Sequence, residues 1–218
     1  MSNNEQENRI SQAIVSRLPR YLRYLTELET DGVERISSRE LSSIMRVTAS
    51  QLRQDLNNFG GFGQQGYGYN VSYLRDEIAK LLGMNDEHFL VIIGGGRFGK
   101  ILAKNMNFNN SGFVLKGIFD NDEAVIGTDI DGHIVMSMDK LSDFVRENRI
   151  EIAVLTIPKE SAKAVANGLC RTGISGIWNF SHTDLDMPDN IQVENVHLSD
   201  SLMRLSYRIN EYRKNHAG

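Results

Sequence analysis

Cysteine is almost absent from the chain: Cys170 is the only one in 218 residues, so no disulfide can form within one copy. It falls in a helical apolar pattern with Ala162, Val165, Ala166 and Leu169. That pattern reads as a small buried side chain rather than a redox thiol, and a reducing cytoplasm is the expected setting. No apolar run approaches the roughly 18 residues that a membrane helix needs, so no membrane association is expected. The opening MSNNEQENRI is polar and lacks the apolar stretch of a secretory signal. The histidines, His88, His133, His182, His197 and His216, are scattered without metal-ligand spacing. His182 with Asp184 hints at a site, although a loop histidine after a strand reads first as structural. No tyrosine is followed by lysine at the fourth position, the pair that short-chain dehydrogenases use. Acid is missing from one stretch as well. Between Asn8 and Thr26 the charged residues are Arg9, Arg17, Arg20 and Arg23. The net charge of −4 argues against indiscriminate nucleic-acid binding, whereas a local arginine cluster on such a chain suits a specific phosphate contact surface.

What is present divides into two segments of different character. In the first, Ile10, Ile14 and Leu18, then Tyr21, Leu22, Leu25 and Leu28, recur at helical spacing, with Pro19 in a first helical turn. Ser37 and Glu40 have capping-box spacing ahead of Leu41, Ile44 and Met45. After a short break, Thr48 can cap a helix that carries Leu52, Leu56 and Phe59 on one face and Gln51, Arg53, Gln54 and Asn57 on the other. Two short helices with a tight turn form the helix-turn-helix pattern. Arg suits guanine, and Asn or Gln suits adenine, at the major-groove edges. These four residues are therefore the candidates for reading DNA, with a plain two-helix corner as the bland alternative. Gly60 to Val71, with five glycines among aromatics, reads as a β-hairpin wing with its tip near Gln64-Gln65, and Gln65 joins the candidate DNA contacts. Tyr73 to Leu82 closes the segment as a helix.

The second segment alternates strand and helix. Phe89 to Ile93 is a continuous apolar run, as in a buried parallel strand. Further strands are expected at Phe113–Phe119, Ile134–Val135, Ile152–Ile157 and Gly176–Phe180, with helices after Gly99, near Asp139–Glu147 and at Lys159–Arg171. Gly94, Gly96 and Gly99 form G-x-G-x-x-G between the first strand and its helix, and Asp120 ends the next strand 21 residues beyond Gly99. The first glycine permits the turn, the second lets a pyrophosphate approach the backbone, and the third lets helix and strand pack closely. The helix N-terminus then offers free N–H groups and a positive dipole end. Asp120 can accept both hydroxyls of an adenine ribose and repels a 2′-phosphate, which favours NAD(H) over NADP(H). With no room left for a substrate domain, the chain reads as a binding protein and not an enzyme. The fold class is α/β: a winged helix-turn-helix at 1–83, a Rossmann dinucleotide-binding domain at 88–198, and an amphipathic C-terminal helix at 199–218. Leu202, Leu205, Ile209 and Tyr212 lie on one stripe of that helix, which needs a docking partner, preferably a second subunit.

Taken together, Ser16-Arg17-Leu18-Pro19, Ile36 to Leu41, Phe59-Gly60 with Gly66 to Val71, and Gly176 to Phe180 resemble the Rex family of redox-sensing transcriptional repressors, in the family's order. The resemblance covers about Ile14 to Ile209. It implies a homodimer whose C-terminal helices exchange between subunits, binding to an inverted-repeat operator in double-stranded DNA, and release from DNA when NADH replaces NAD. It points to Arg17 and Arg53 for DNA. Around the cofactor it points to Gly94, Gly95, Gly96, Arg97, Phe98 and Gly99, to Asp120 and Pro158, and to Asn179 and Phe180. The chain departs from the family pattern at Asn105, where a Tyr is usual, at His197, where an Asp is usual, and at Gln54, where a basic residue is common. The first two departures motivate an alternative: a Rex-like DNA-binding regulator that does not sense the nicotinamide redox state, and that binds another adenine nucleotide or acts constitutively.

Overall fold

The computed structural model describes residues 11–57, 63–64, 67–105 and 112–216. The chain divides into two compact units, Met1–Asp86 and Glu87–Gly218.

The first unit contains α1 (Gln12–Val15), α2 (Leu18–Thr30), β1 (Arg35–Ile36), α3 (Ser38–Met45), α4 (Ala49–Asn57), β2 (Gly63–Gln64), β3 (Gly68–Asn70) and α5 (Val71–Leu81). The capping box that opens α3 is formed: the Ser37 side chain accepts from the Glu40 N–H, and the Glu40 carboxylate accepts from the Ser37 N–H. Its end is set by Arg46 in the left-handed region, φ 51°, which turns the chain sharply toward α4. Thr48 then accepts from the Gln51 N–H and caps α4. Leu18, Tyr21 and Leu25 of α2 pack with Leu41, Met45, Leu52, Leu56, Leu74 and Ile78 in one buried cluster. β2 and β3 pair antiparallel, Gly63 opposite Tyr69 and Gln64 opposite Gly68, with β1 on the other side of β3. The hairpin expected after the recognition helix is therefore there. The candidate contact Gln65, along with Phe59 to Gly61 and Gly66, lies outside the described residues.

The second unit contains β4 (His88–Ile93), α6 (Arg97–Asn105), β5 (Phe113–Asp120), β6 (Asp129–Ile130), β7 (His133–Ser137), α7 (Leu141–Glu147), β8 (Ile152–Leu155), α8 (Lys159–Leu169), β9 (Gly176–Asn179), β10 (Gln192–Asn195) and α9 (Leu198–His216). The sheet order is β10-β9-β8-β4-β5-β7-β6, with every described pairing parallel except that of β6 with β7. Strand order runs outward in both directions from β4, which places a topological switch point between β4 and β8. This is the Rossmann arrangement, in which ligands bind outside the carboxyl ends of the strands at that crevice. Alternate residues of β4 feed opposite faces: Val91 and Ile93 join α7 and α8 in one core, Leu90 and Ile92 join α6 in another. Burial of both faces explains why its sequence is apolar throughout rather than alternating. β1, β6 and β10 carry no local signal in the sequence.

Candidate nucleic-acid interface and nucleotide site

On α4 the apolar face supplies Leu52 and Leu56 to the core, while Ser50, Arg53, Gln54 and Asn57 are exposed and line one open depression. Three of the candidate DNA contacts thus share one outward surface of the helix. Arg17 and Gln51 are placed differently. The Arg17 guanidinium donates through Nε and Nη2 to the two carboxylate oxygens of Asp55, both at 2.7 Å. Gln51 Nε2 donates to Asp55 Oδ1 at 2.8 Å, and the buried Tyr21 hydroxyl donates to Oδ2 at 2.7 Å. Asp55 itself is fully buried. Burial by itself would raise its pKa, but the bonds from Arg17, Tyr21 and Gln51, with the charge of Arg17, outweigh that and hold the carboxyl below the usual range. Tyr21 is pushed up to about 12 by burial and by its bond to Asp55. Arg20 also has an internal partner, donating to the Met45 carbonyl at the end of α3. Two arginines of the basic cluster therefore brace the helix-turn-helix from within.

The glycine loop follows β4 directly. Gly94 takes φ 109°, and its N–H donates to Phe119 O. A Cβ at Gly99 would lie 1.9 Å from the Gly94 carbonyl oxygen, so the turn closes on itself only without a side chain there. A Cβ at Gly96 would meet nothing within 4 Å, although that residue opens α6. The neighbouring protein therefore gives no steric reason for a glycine at 96, and the space over its backbone is open. Asp120 ends β5 beside this loop: Oδ2 accepts from the Gly95 N–H at 2.7 Å, and Oδ1 from the Asn121 and Asp122 N–H groups. Those three bonds fix the direction of the carboxylate beside the loop and leave one lone-pair site, on Oδ2, beyond them. Arg97 is exposed at the start of α6 and Pro158 is exposed at the start of α8. Phe98 and Phe180 are brought together, ring centroids 5.2 Å apart and nearly edge-to-face.

Asn179 is buried, and its side chain is engaged within the protein. Nδ2 donates to Thr183 O and Asn195 Oδ1, and Oδ1 accepts from the Ser181 N–H and hydroxyl. It braces the loop behind Phe180. Thr156 went unnoticed in the sequence; its hydroxyl bonds the Ile93 and Gly94 carbonyls and supports the glycine turn. Its signal is a lone hydroxyl residue closing the apolar run of β8. Asp55 also had a signal: it lies three residues after Leu52 and just before Leu56, on the apolar face of α4. The histidine that pairs with Asp184 is His197, Nε2 to Oδ1 at 2.8 Å, and not His182, which is exposed with φ 56°.

The Asp184 bond holds His197 above its ordinary pKa, with a further contribution from the Asp200 charge. A raised value favours the imidazolium in the folded chain, so the contribution to stability is present at acidic pH and disappears as pH rises through the folded-state pKa. The His197 ring protons should titrate above about 6.5, and Asp184→Asn should lower that midpoint. An NMR titration unaffected by the substitution would show that the pair does not form.

No described helix is long and apolar enough to cross a membrane. Among the described residues no group of three or more His, Cys, Asp or Glu is placed to hold a metal ion. Comparison with known proteins covers both units. Residues 9–57 match the family model described as "Putative DNA-binding protein N-terminus", and residues 85–183 match the "CoA binding domain" model. A redox-sensing transcriptional repressor Rex of Thermoanaerobacter pseudethanolicus is 53% identical over 94% of this chain and 92% of its own. A Rex repressor of Clostridioides difficile is 49% identical over 93% and 96%. A crystal structure of RSP with β-NAD+ and operator DNA superposes with TM-score 0.88 at 52% identity, covering 94% of each chain. RSP with β-NADH superposes at 0.87 and 49% identity, over 95% of this chain and 97% of that one.

Proposed function

Because the chain belongs to the Rex family of redox-sensing transcriptional repressors, we propose that it represses by laying α4 in the major groove of an operator and is released when NADH occupies the glycine loop. It is a DNA-binding repressor modulated by NAD(H), and not an enzyme. The observation that carries the nucleotide assignment is the pairing of an open Gly96 with a carboxylate, Asp120, aimed beside the same loop. Gly94 to Gly99 with the α6 N-terminus would hold the pyrophosphate, and Asp120 the adenine ribose. Phe98, Pro158 and the backbone at Asn179-Phe180 would border the nicotinamide end. The bound dinucleotide supplies its oxidation state as the signal; no hydride transfer to a substrate is involved. Asp120 also bears on the match to a CoA-binding model. Coenzyme A carries a phosphate on its adenine ribose, and a carboxylate at that point repels it as it repels NADP(H).

For DNA, Arg53, Gln54 and Asn57 are proposed to read base edges, and Arg17, Gln51 and Gln65 of the wing to make phosphate or flanking contacts. Arg53→Ala should weaken operator binding by about 10- to 100-fold. Unchanged affinity would mean that α4 is not the groove-reading helix.

The functional unit is proposed to be a homodimer. Leu198, Leu202, Leu205, Ile209 and Tyr212 of α9 follow alternating steps of four and three residues, the spacing of a coiled-coil seam. All of them are exposed, and α9 has no buried residue at all. A second copy is the partner that covers such a seam and also supplies the second groove-reading helix of a paired half-site. This reading makes residues 199–218 the dimerisation segment, with the winged helix at 1–83 and the nucleotide domain at 88–198. A cytoplasmic setting is proposed, since a repressor has to reach its operator.

The non-sensing alternative rests on Asn105 and His197. Relatives at about half identity occur with NAD+ and with NADH, which favours the sensing reading. Calorimetry separates the two: NADH binding several-fold tighter than NAD supports sensing, and equal or absent affinities support the alternative.

A further inference from the structure

The buried carboxylate of Asp55 has no part in the base-reading surface, yet among the described residues of the first unit it is the most heavily bonded acidic group. It lies on the recognition helix, on the face turned away from Arg53, Gln54 and Asn57, and it grips three side chains at once. Two of the three, Arg17 and Gln51, are the side chains proposed to flank the operator contact. An arginine has five N–H donors in a rigid fork. Here Nε and one Nη2 hydrogen are committed to Asp55, while the Arg17 side chain remains 30% exposed beside a carboxylate that is 0% exposed. Fixing one edge of a planar guanidinium fixes the direction of its other edge. In the same way, one Gln51 N–H is committed to Asp55, which sets the plane of its carboxamide.

We propose that Asp55 is a positioning residue for operator recognition. Its buried carboxylate presets the Arg17 guanidinium and the Gln51 carboxamide so that their remaining polar groups meet the DNA without first being ordered. Arg17 lies 38 residues away in sequence, at the N-terminal edge of α2. The carboxylate therefore also fixes how α4 is seated on α2. The Tyr21 hydroxyl fills the remaining lone pair from the buried side and keeps the carboxylate from turning. Long side chains that reach phosphates from solvent lose rotamer freedom on binding; a side chain ordered beforehand avoids that loss. The inference rests on the reading that α4 enters the groove, and the test separates the two.

The test uses the full-length protein and a duplex operator, with Kd measured over a series of salt concentrations. Two opposite effects are predicted for Asp55→Asn. Removing a negative charge near DNA should by simple electrostatics tighten binding. Loss of positioning should weaken it. We expect Asp55→Asn to weaken binding by tenfold or more and to make the slope of log K against log salt shallower by about one unit, as the Arg17 phosphate contact is lost. Arg17→Ala combined with Asp55→Asn should lose much less than the sum of the two single losses, because both changes remove the Arg17 contact and only the Gln51 share of the Asp55 effect is left to add. Wild-type or tighter binding by Asp55→Asn, or losses that simply add, would overturn the proposal. Should Asp55→Asn not fold, the wild-type protein itself decides. In 15N-labelled protein the Arg17 Nε–H signal should show slow solvent exchange and restricted motion before operator is added. A rapidly exchanging, mobile Arg17 signal in the free protein would overturn the proposal. Arg53→Ala serves as the separate control: if it binds like wild type, α4 is not in the groove, and the proposal falls with that reading rather than through Asp55.

Discussion

Gly99→Ala should destabilise the nucleotide-binding unit severely, while Gly96→Val, three residues earlier and larger, should leave melting unchanged and remove NADH binding. The two outcomes follow from what each new Cβ meets. At Gly99 it would lie 1.9 Å from the Gly94 carbonyl oxygen and 3.1 Å from both the Gly94 carbonyl carbon and Thr156 Oγ1. Most of those atoms are backbone, so relief requires either opening the turn between β4 and α6 or withdrawing the helix from the sheet. Leu102 and Ala103 on that helix belong to a buried core. A loss of about 4 kcal/mol falls in the range reserved for such backbone conflicts. For a unit of this size it corresponds to a fall in melting temperature of roughly 10–20 °C. At Gly96 the added carbon meets nothing within 4 Å. The Cβ gains no clash there, and the valine side chain instead extends into the space assigned to the pyrophosphate. NADH affinity should fall by 100-fold or more, and the variant should hold its operator whatever the NADH concentration. Retention of NADH affinity by Gly96→Val would remove the nucleotide from this loop.

Deleting residues 198–218 should give a folded monomer that has lost nearly all operator affinity. The two buried cores of the nucleotide-binding unit contain no residue of α9. Its apolar side chains are largely in solvent, Leu202 at 67% and Tyr212 at 64% exposure. Removing α9 therefore costs little packing within one chain. A single winged helix retains its own contacts, but it loses the gain from two linked half-sites, worth 100-fold or more in affinity. Sedimentation with circular dichroism would report the state and the fold, and operator titration the affinity. A truncated chain that remained dimeric and bound normally would show that the exposed seam serves another purpose.

Local signals explain which parts of this molecule were legible in the sequence. The Ser37–Glu40 capping box, the Thr48 cap, the apolar β4 run and the glycine spacing all lie within a few residues, and each has a mechanism that acts over that distance. The Rossmann alternation followed from them. β10 was missed because Gln192-Val193-Glu194-Asn195 is a polar sheet edge with one apolar residue turned to the core, too short to show alternation. The two-residue strands β1 and β6 exist only through their partners. The candidate residues were harder. Gln51 stands out by its side-chain chemistry and Arg17 by the family resemblance and the arginine cluster around it, and nothing within a few residues of Arg17 reveals that its partner is Asp55. Asn179 similarly joins Asn195 and Thr183 through a turn that only the fold creates. The Asp184 partner is His197 because β10 carries His197 back beside the loop.

Operator affinity measured at fixed salt while NADH and NAD are titrated separately bears on the whole scheme at once. NADH should weaken binding by 10-fold or more, NAD should leave it within about twofold, and neither should act on Gly96→Val. Equal responses to the two dinucleotides, or none, would break the link between the glycine loop and the groove-reading helices.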